Sequence, residues 1–271
     1  MYKTLIQTLL VGFYAILAAS PLEGGGVMIA ARQIAFGGSA KKFSASDYIQ
    51  DGLIAMWDGI ENVGFGEPHD SSATTWKNLA GGEDIEIYTQ NAEWNDSALV
   101  GKERSFVNAN TVLGLGSLAM PSTYETVEIV INSYDNSRIW VLFMHGAPSS
   151  TSHIALANHT RGLQFAYING RGGGINLEEL PTEGVRFGAA RVGTSPSQEG
   201  GECYINGLPN TKVLGRTNLS PAARFGEGYR SNENNAAPFV GEVCAMRFYN
   251  RALTAEEIAY NYNIDKQRFG L

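Results

Sequence analysis

The chain has 271 residues, a net charge of -7 and a pI near 5.2, with apolar residues at 44% and charged residues at only 17%. That apolar content excludes a disordered chain, and a mean hydropathy of -0.14 excludes a multispanning membrane protein. The acidic balance, with no basic run beyond Lys41-Lys42, argues against nucleic-acid binding.

The N-terminus is built differently from the rest. Residues 1–45 hold Lys3, Arg32, Lys41 and Lys42 against Glu23, so the remaining chain carries all the acidic excess. Residues 5–19 form an apolar run after one lysine and before small residues, the outline of a secretory signal and too short to span a bilayer. Pro21 fits poorly after the best cleavage site, Ala18-Ala19-Ser20, and Met28-Ile29-Ala30-Ala31 reads equally well as a fresh start. Both readings make residues 1–45 a flexible arm with a signal-like or leader segment, followed by a body over 46–271.

From Gly52 onward, short apolar or alternating runs are punctuated by Gly, Asn, Pro and Ser. The 32 glycines, well above an ordinary share of about 7%, follow no G-X-Y period and mark tight turns. The runs predict strands at Leu53–Trp57, Ile85–Thr89, Arg104–Val107, Thr126–Ile131, Ile139–Met144, His153–Ala157, Leu163–Ile168, Val185–Val192, Glu202–Ile205, Ala222–Phe225 and Phe239–Tyr249. Asn169-Gly170 and Asn206-Gly207 are two-residue hairpin signals, because both turn positions need positive φ. One helix comes last. Thr254 caps it, Glu257 reaches back to the Thr254 amide, and Leu253 and Ile258 sit where a hydrophobic staple needs them. Many strands without intervening helices predict an all-β, two-sheet antiparallel jelly-roll sandwich with a short C-terminal helix. Cys203 and Cys244 have no metal spacing and form one disulfide or remain two thiols, with thiols favoured.

Phe239-Val240-Gly241-Glu242-Val243 and Arg247-Phe248-Tyr249-Asn250-Arg251-Ala252-Leu253-Thr254-Ala255-Glu256-Glu257-Ile258 resemble the closing signature of laminin-G-like domains of the concanavalin A-like lectin/glucanase superfamily. Asp51–Trp57 resembles that family's first strand and Thr75–Gly82 the loop after it, so the likeness spans roughly residues 48–271. It implies a jelly roll in which the first and last strands of the body pair. The stretch from Met28 to Gly38 is similar to the start of phage and prophage structural proteins of gut bacteria that carry such a domain.

The superfamily contains retaining glycosidases, which need two carboxylates about 5 to 5.5 Å apart. Gly82-Glu83-Asp84-Ile85-Glu86 carries the Asp and last Glu of the family's E-x-D-x-E pattern, but Gly82 stands where the nucleophile belongs. Glu125 and Glu128, three apart on a strand, face opposite ways. His69, His145, His153 and His159 match no metal or triad spacing, no G-x-S-x-G elbow occurs, and Gly114–Ala119 lacks the βαβ setting of a dinucleotide loop. No catalytic residue is assigned.

Sugar binding calls for planar hydrogen-bonding groups beside an aromatic platform. Two loops have that composition, one with Tyr134, Asp135 and Asn136, the other with Tyr229, Arg230 and Asn232. The plainer account of both is turn-making Asn, Asp and Ser. Trp57, Trp76 and Trp140 read as core, which leaves Trp94 as the exposed tryptophan and a candidate platform. Some laminin-G-like domains hold one Ca²⁺ through Asp side chains and backbone carbonyls; the resemblance makes Asp135 and Glu233 the candidate ligands. The acidic loop with Asp58, Glu61, Glu67 and Asp70 is either a cation contributor or a solvated loop. The sequence thus predicts a non-catalytic recognition module for a cell-surface or matrix glycan, with no integral membrane domain, in an extracellular, surface or virion setting. The arm would attach it to a phage or surface assembly, and the rival readings are a structural virion or fibre decoration and, after it, a glycoside hydrolase.

Overall fold

The computed structural model describes residues 15–21, 27–33, 42–102, 114–117, 124–135, 140–145, 152–159, 162–169, 173–176, 186–191, 201–214, 223–225 and 239–271. The chain divides into two units, Met1–Lys42 and Phe43–Leu271. In the first, β1 (Ala15–Pro21) and β2 (Val27–Gln33) pair antiparallel.

The second unit runs β3 (Leu53–Asp58), β4 (Thr75–Trp76), β5 (Ile85–Ile87), β6 (Ala92–Trp94), β7 (Leu99–Gly101), β8 (Gly116–Ser117) and β9 (Thr126–Tyr134). There follow β10 (Trp140–His145), β11 (Ser152–His159), β12 (Gly162–Asn169), β13 (Gly173–Asn176), β14 (Arg186–Arg191), β15 (Gly201–Ile205) and β16 (Leu208–Leu214). β17 (Ala223–Phe225), β18 (Gly241–Tyr249) and the helix α1 (Ala255–Phe269) complete it. The larger sheet has the order β16-β15-β14-β9-β18-β7-β6, and β3 also pairs with β18; the smaller is β13-β12-β11-β10-β17. All pairings are antiparallel, giving the expected two-sheet jelly-roll sandwich with one C-terminal helix. The first strand of the body lies against the last, with Ala245 opposite Asp58 and Phe248 opposite Ala55.

Alternation along β9 and β18 sorts side chains between two layers. Val127, Ile129, Ile131, Val243, Met246 and Phe248 enter the core, joined by Leu142 of β10 and by Trp76, Ile85 and Ile87 of a three-stranded sheet, β4-β5-β8. Val130, Cys244, Ala245 and Tyr249 face outward and are covered by Leu253 and Ile258 at the start of α1. Cys244 keeps a free thiol, and burial pushes its pKa well up.

Two register irregularities between β9 and β18 break this alternation. Ile131 pairs with Val243 while Tyr134 pairs with Gly241, so β9 spends one extra residue and Tyr134 turns into the core. Gly241, at φ +156, permits this close approach: a Cβ there would stand 2.2 Å from the Ser133 carbonyl oxygen. The Asn206-Gly207 turn has the positive φ values, 51 and 72, that its hairpin requires.

The helix start follows the capping prediction. Thr254 Oγ1 accepts the Glu257 amide at 3.2 Å, and Glu257 Oε2 accepts the Thr254 amide at 2.8 Å. The segment before β3 also belongs to this unit. Phe43, Ala45 and Tyr48 pack with Met56, Leu79 and Ile264.

Candidate functional site

Two of the sequence-derived platforms, Trp94 and Tyr134, do not reach the surface. Trp94 is 9% exposed: β6 alternates Ala92 in, Glu93 out, Trp94 in, and its indole Nε1 donates to the Ala73 carbonyl at 2.9 Å. Its ring stands edge-on to Trp76 at 5.2 Å and to His69 at 5.7 Å, so its faces are spent on packing. Tyr134 is 8% exposed for the register reason given above. Asp135 is half-buried at the end of β9, where its amide donates to the Val240 carbonyl at 2.9 Å. Asn136, Tyr229, Arg230, Asn232 and Glu233 lie outside the described residues.

The acidic loop after β3 is divided: Glu67 and Asp70 are exposed, whereas its other two acids are turned inward. Asp58 and Glu61 are buried and share the Arg268 guanidinium at the end of α1. Asp58 Oδ1 also takes the amides of Ile60 and Glu61, both at 3.0 Å. Glu61 accepts the Ala45 amide through Oε1 at 2.7 Å and the Gly66 amide through Oε2 at 2.8 Å. Asp70 closes a local turn on Ser72. Asp58 and Glu61 are occupied by a guanidinium and by main-chain donors, so these two do not fit a calcium site, which needs several free oxygens around one point. Among the described residues no group of three or more His, Cys, Asp and Glu is arranged for a metal ion.

Two further polar or aromatic stations lie apart from these buried acids. In the first, Glu242 takes the side-chain amides of Asn132 and Asn95, the latter at 3.0 Å, while Asn95 Oδ1 accepts the Ser97 and Ala98 amides at 3.0 and 2.7 Å. The result is a half-buried carboxylate flanked by two planar amides whose orientations are fixed.

The second station holds exposed rings. Phe65 and Tyr260 are 43% and 45% exposed, the aromatic members of the exposed large apolar side chains among the described residues. Both are tied to one 3-10 turn, Ala45–Asp47. Glu61 clamps the Phe65 loop to the amide of Ala45, and the Tyr260 hydroxyl donates to the Asp47 carbonyl at 3.2 Å. The two anchor points lie two residues apart, about 4 Å along a 3-10 turn. Ser44 and Ser46, whose hydroxyls are 2.7 Å apart, sit on the same turn, with Ser46 exposed.

Sequence reading passed over both rings. The signal for Phe65 was its place between two glycines in a polar loop. For Tyr260 it was a helical position two residues from the inward Ile258, about 200° around the helix.

No family model matches the chain, and no curated protein sequence does. Among solved structures, Trypanosoma rangeli sialidase superposes with a TM-score of 0.51 at 15% identity, over 79% of this chain and 33% of that one. A mutant of that sialidase displaying trans-sialidase activity gives 0.52 at 17% identity, over 81% and 34%. Domain 4 of AbnA, a GH43 extracellular arabinanase from Geobacillus stearothermophilus, in complex with arabinotriose, gives 0.47 at 15% identity, over 76% and 96%. The chain spans about a third of the length of the sialidases it matches. At these identities the likeness to the sialidases is one of fold.

Proposed function

We propose that the chain is a non-catalytic recognition module that binds a cell-surface or matrix glycan on the outer side of its large sheet, in an extracellular, surface or virion setting. The observation that carries this reading is the pair of exposed rings, Phe65 and Tyr260, whose segments are both tied to the turn that carries Ser44 and Ser46. An aromatic face stacks on the apolar C–H side of a sugar ring while hydroxyls and planar amides bond its hydroxyl groups. The Asn95–Glu242–Asn132 group offers a second polar contact whose geometry is set in advance, which lowers the ordering cost of binding.

The absence of turnover is also part of the proposal. Glu128, one of the carboxylates weighed for a glycosidase pair, is fully buried and bonded to Arg247. Asp84 is held by Lys77 and the Asn78 amide, both at 2.8 Å. A shallow face of this kind gains from repetition, so display in many copies, with residues 1–42 as the attachment to a larger assembly, suits it.

The test is binding of the full-length chain to a broad glycan array, with and without a calcium chelator, beside the Phe65→Ala and Tyr260→Ala variants. Saturable signal on one glycan class, weakened at least tenfold by either variant, is the expected result. Loss of signal on chelation would add a calcium ion to the site. A blank array with folded protein would overturn the reading in favour of a structural decoration role, and sugar cleavage would overturn it in favour of a hydrolase.

A further inference from the structure

Beneath the helix lies a buried charge cluster that the recognition role does not use. Arg247 donates through Nε to Glu128 Oε2 at 2.6 Å, and through Nη1 and Nη2 to the two oxygens of Asp265 at 2.9 and 2.6 Å. All three side chains are 0% exposed. Tyr48 lays its ring 4.1 Å from the Arg247 guanidinium, gives its hydroxyl proton to Asp265 at 2.6 Å, and accepts from Arg268 at 3.3 Å. Arg268 in turn serves Asp58 and Glu61. Two guanidinium groups therefore face four carboxylates in one buried network.

An acid excess of this kind, out of water, drives the least compensated carboxyl to take a proton. Bonding identifies which one. Asp265 has both Arg247 donors and Tyr48; Asp58 and Glu61 each have Arg268 and two main-chain amides. Glu128 receives Arg247 and Asn261 on Oε2 alone, while its Oε1 is buried with no hydrogen-bond partner. The other groups around it are the Tyr249 hydroxyl, which Asn261 also bonds at 3.0 Å, and Ala189, its register partner on β14, which has nothing to titrate.

We propose that Glu128 is a proton-operated latch: the C-terminal helix is held firmly to the sheet while this carboxyl is protonated, and loosens when it ionises. The helix side of the latch is Asn261 and Asp265, and Asn261 also accepts the Ile49 amide at 3.1 Å, so the segment before β3 is released with the helix. Burial, opposed by Arg247 and reinforced by Asp265, pushes the Glu128 carboxyl from an ordinary 4.5 up to about 7. The closed state thus binds the proton more tightly than the open one. Its advantage is complete below about pH 4.5, declines as pH rises, and is gone above about pH 7.

Amide hydrogen exchange of α1 in the full-length chain, corrected for intrinsic exchange, tests this at pH 5.5 and pH 7.5. Protection of the helix should fall by up to about 30-fold between the two, tenfold per pH unit up to the folded-state value. Glu128→Gln should flatten the dependence. Equal protection at both pH values, or a fall that persists in Glu128→Gln, would overturn the latch. If that variant does not fold, the ¹³C carboxyl resonance of Glu128 in the unaltered chain decides: a midpoint near 7 supports the proposal and one near 4.5 overturns it.

Discussion

Replacing Arg247 with methionine keeps the length and apolar stem of the side chain but strands the carboxylates that face it. Three charge-assisted bonds of 2.6 to 2.9 Å are lost from a site with no exposure. Taken singly, such bonds contribute about 1.5 to 3 kcal/mol each, but the whole sum is not forfeited, because Glu128 can take up a proton near neutral pH. Asp265 is then the stranded charge, and breaking a buried pair from one side costs about 3 to 5 kcal/mol. For a domain of this size each kcal/mol moves Tm by about 2 to 4 °C, so the midpoint should fall by roughly 6 to 20 °C. Calorimetry at pH 6 would measure it. Asp265→Asn added to Arg247→Met should return part of the loss, since it removes the stranded charge. A cost below about 1 kcal/mol, or no recovery in the double variant, would refute the reasoning.

Thr254→Ala removes the side chain that accepts the Glu257 amide and should cost about 1 kcal/mol in urea unfolding, with Asp265 and Arg247 still in place to dock the helix. Cys244, buried and with its thiol pKa raised by burial, should resist a thiol reagent in the native protein and react only on unfolding, which a timed labelling experiment by mass spectrometry would show. Gly59→Ala should prevent stable folding or lower Tm sharply, because the added Cβ would sit 2.1 Å from the Ser97 carbonyl oxygen, and backbone cannot swing aside.

Much of the fold was legible because it follows local rules. Apolar alternation located Leu53–Asp58, Thr126–Tyr134 and Gly241–Tyr249, and the Thr254/Glu257 capping pair located the helix start, while the expected strand Arg104–Val107 lies outside the described residues and Gly173–Asn176 and Leu208–Leu214 were not foreseen. The Asn206-Gly207 hairpin followed from its turn chemistry. The short strands β4, β6, β7 and β8 were not legible, since two or three residues cannot establish a period. Trp94 was misjudged for that reason, and Tyr134 because a bulge adds a residue that composition does not announce.

The buried charges were hidden for a different cause. Asp58, Glu61 and Glu128 look like surface acids until Arg247 and Arg268, distant in sequence, are brought against them. A trace existed: Asn261 and Asp265 are four apart, on the helix face that also carries Ile258 and Ile264. Polar residues on an apolar stripe signal a buried partner.

Recognition without turnover is the role proposed for this chain. It is tested most directly by titrating the full-length chain into the oligosaccharide selected on the array, with heat of binding followed in the calorimeter and the sugar recovered for mass analysis. Saturable heat with the sugar returned intact is the result expected here. Cleaved sugar, or no heat from a folded protein at millimolar ligand, would contradict it.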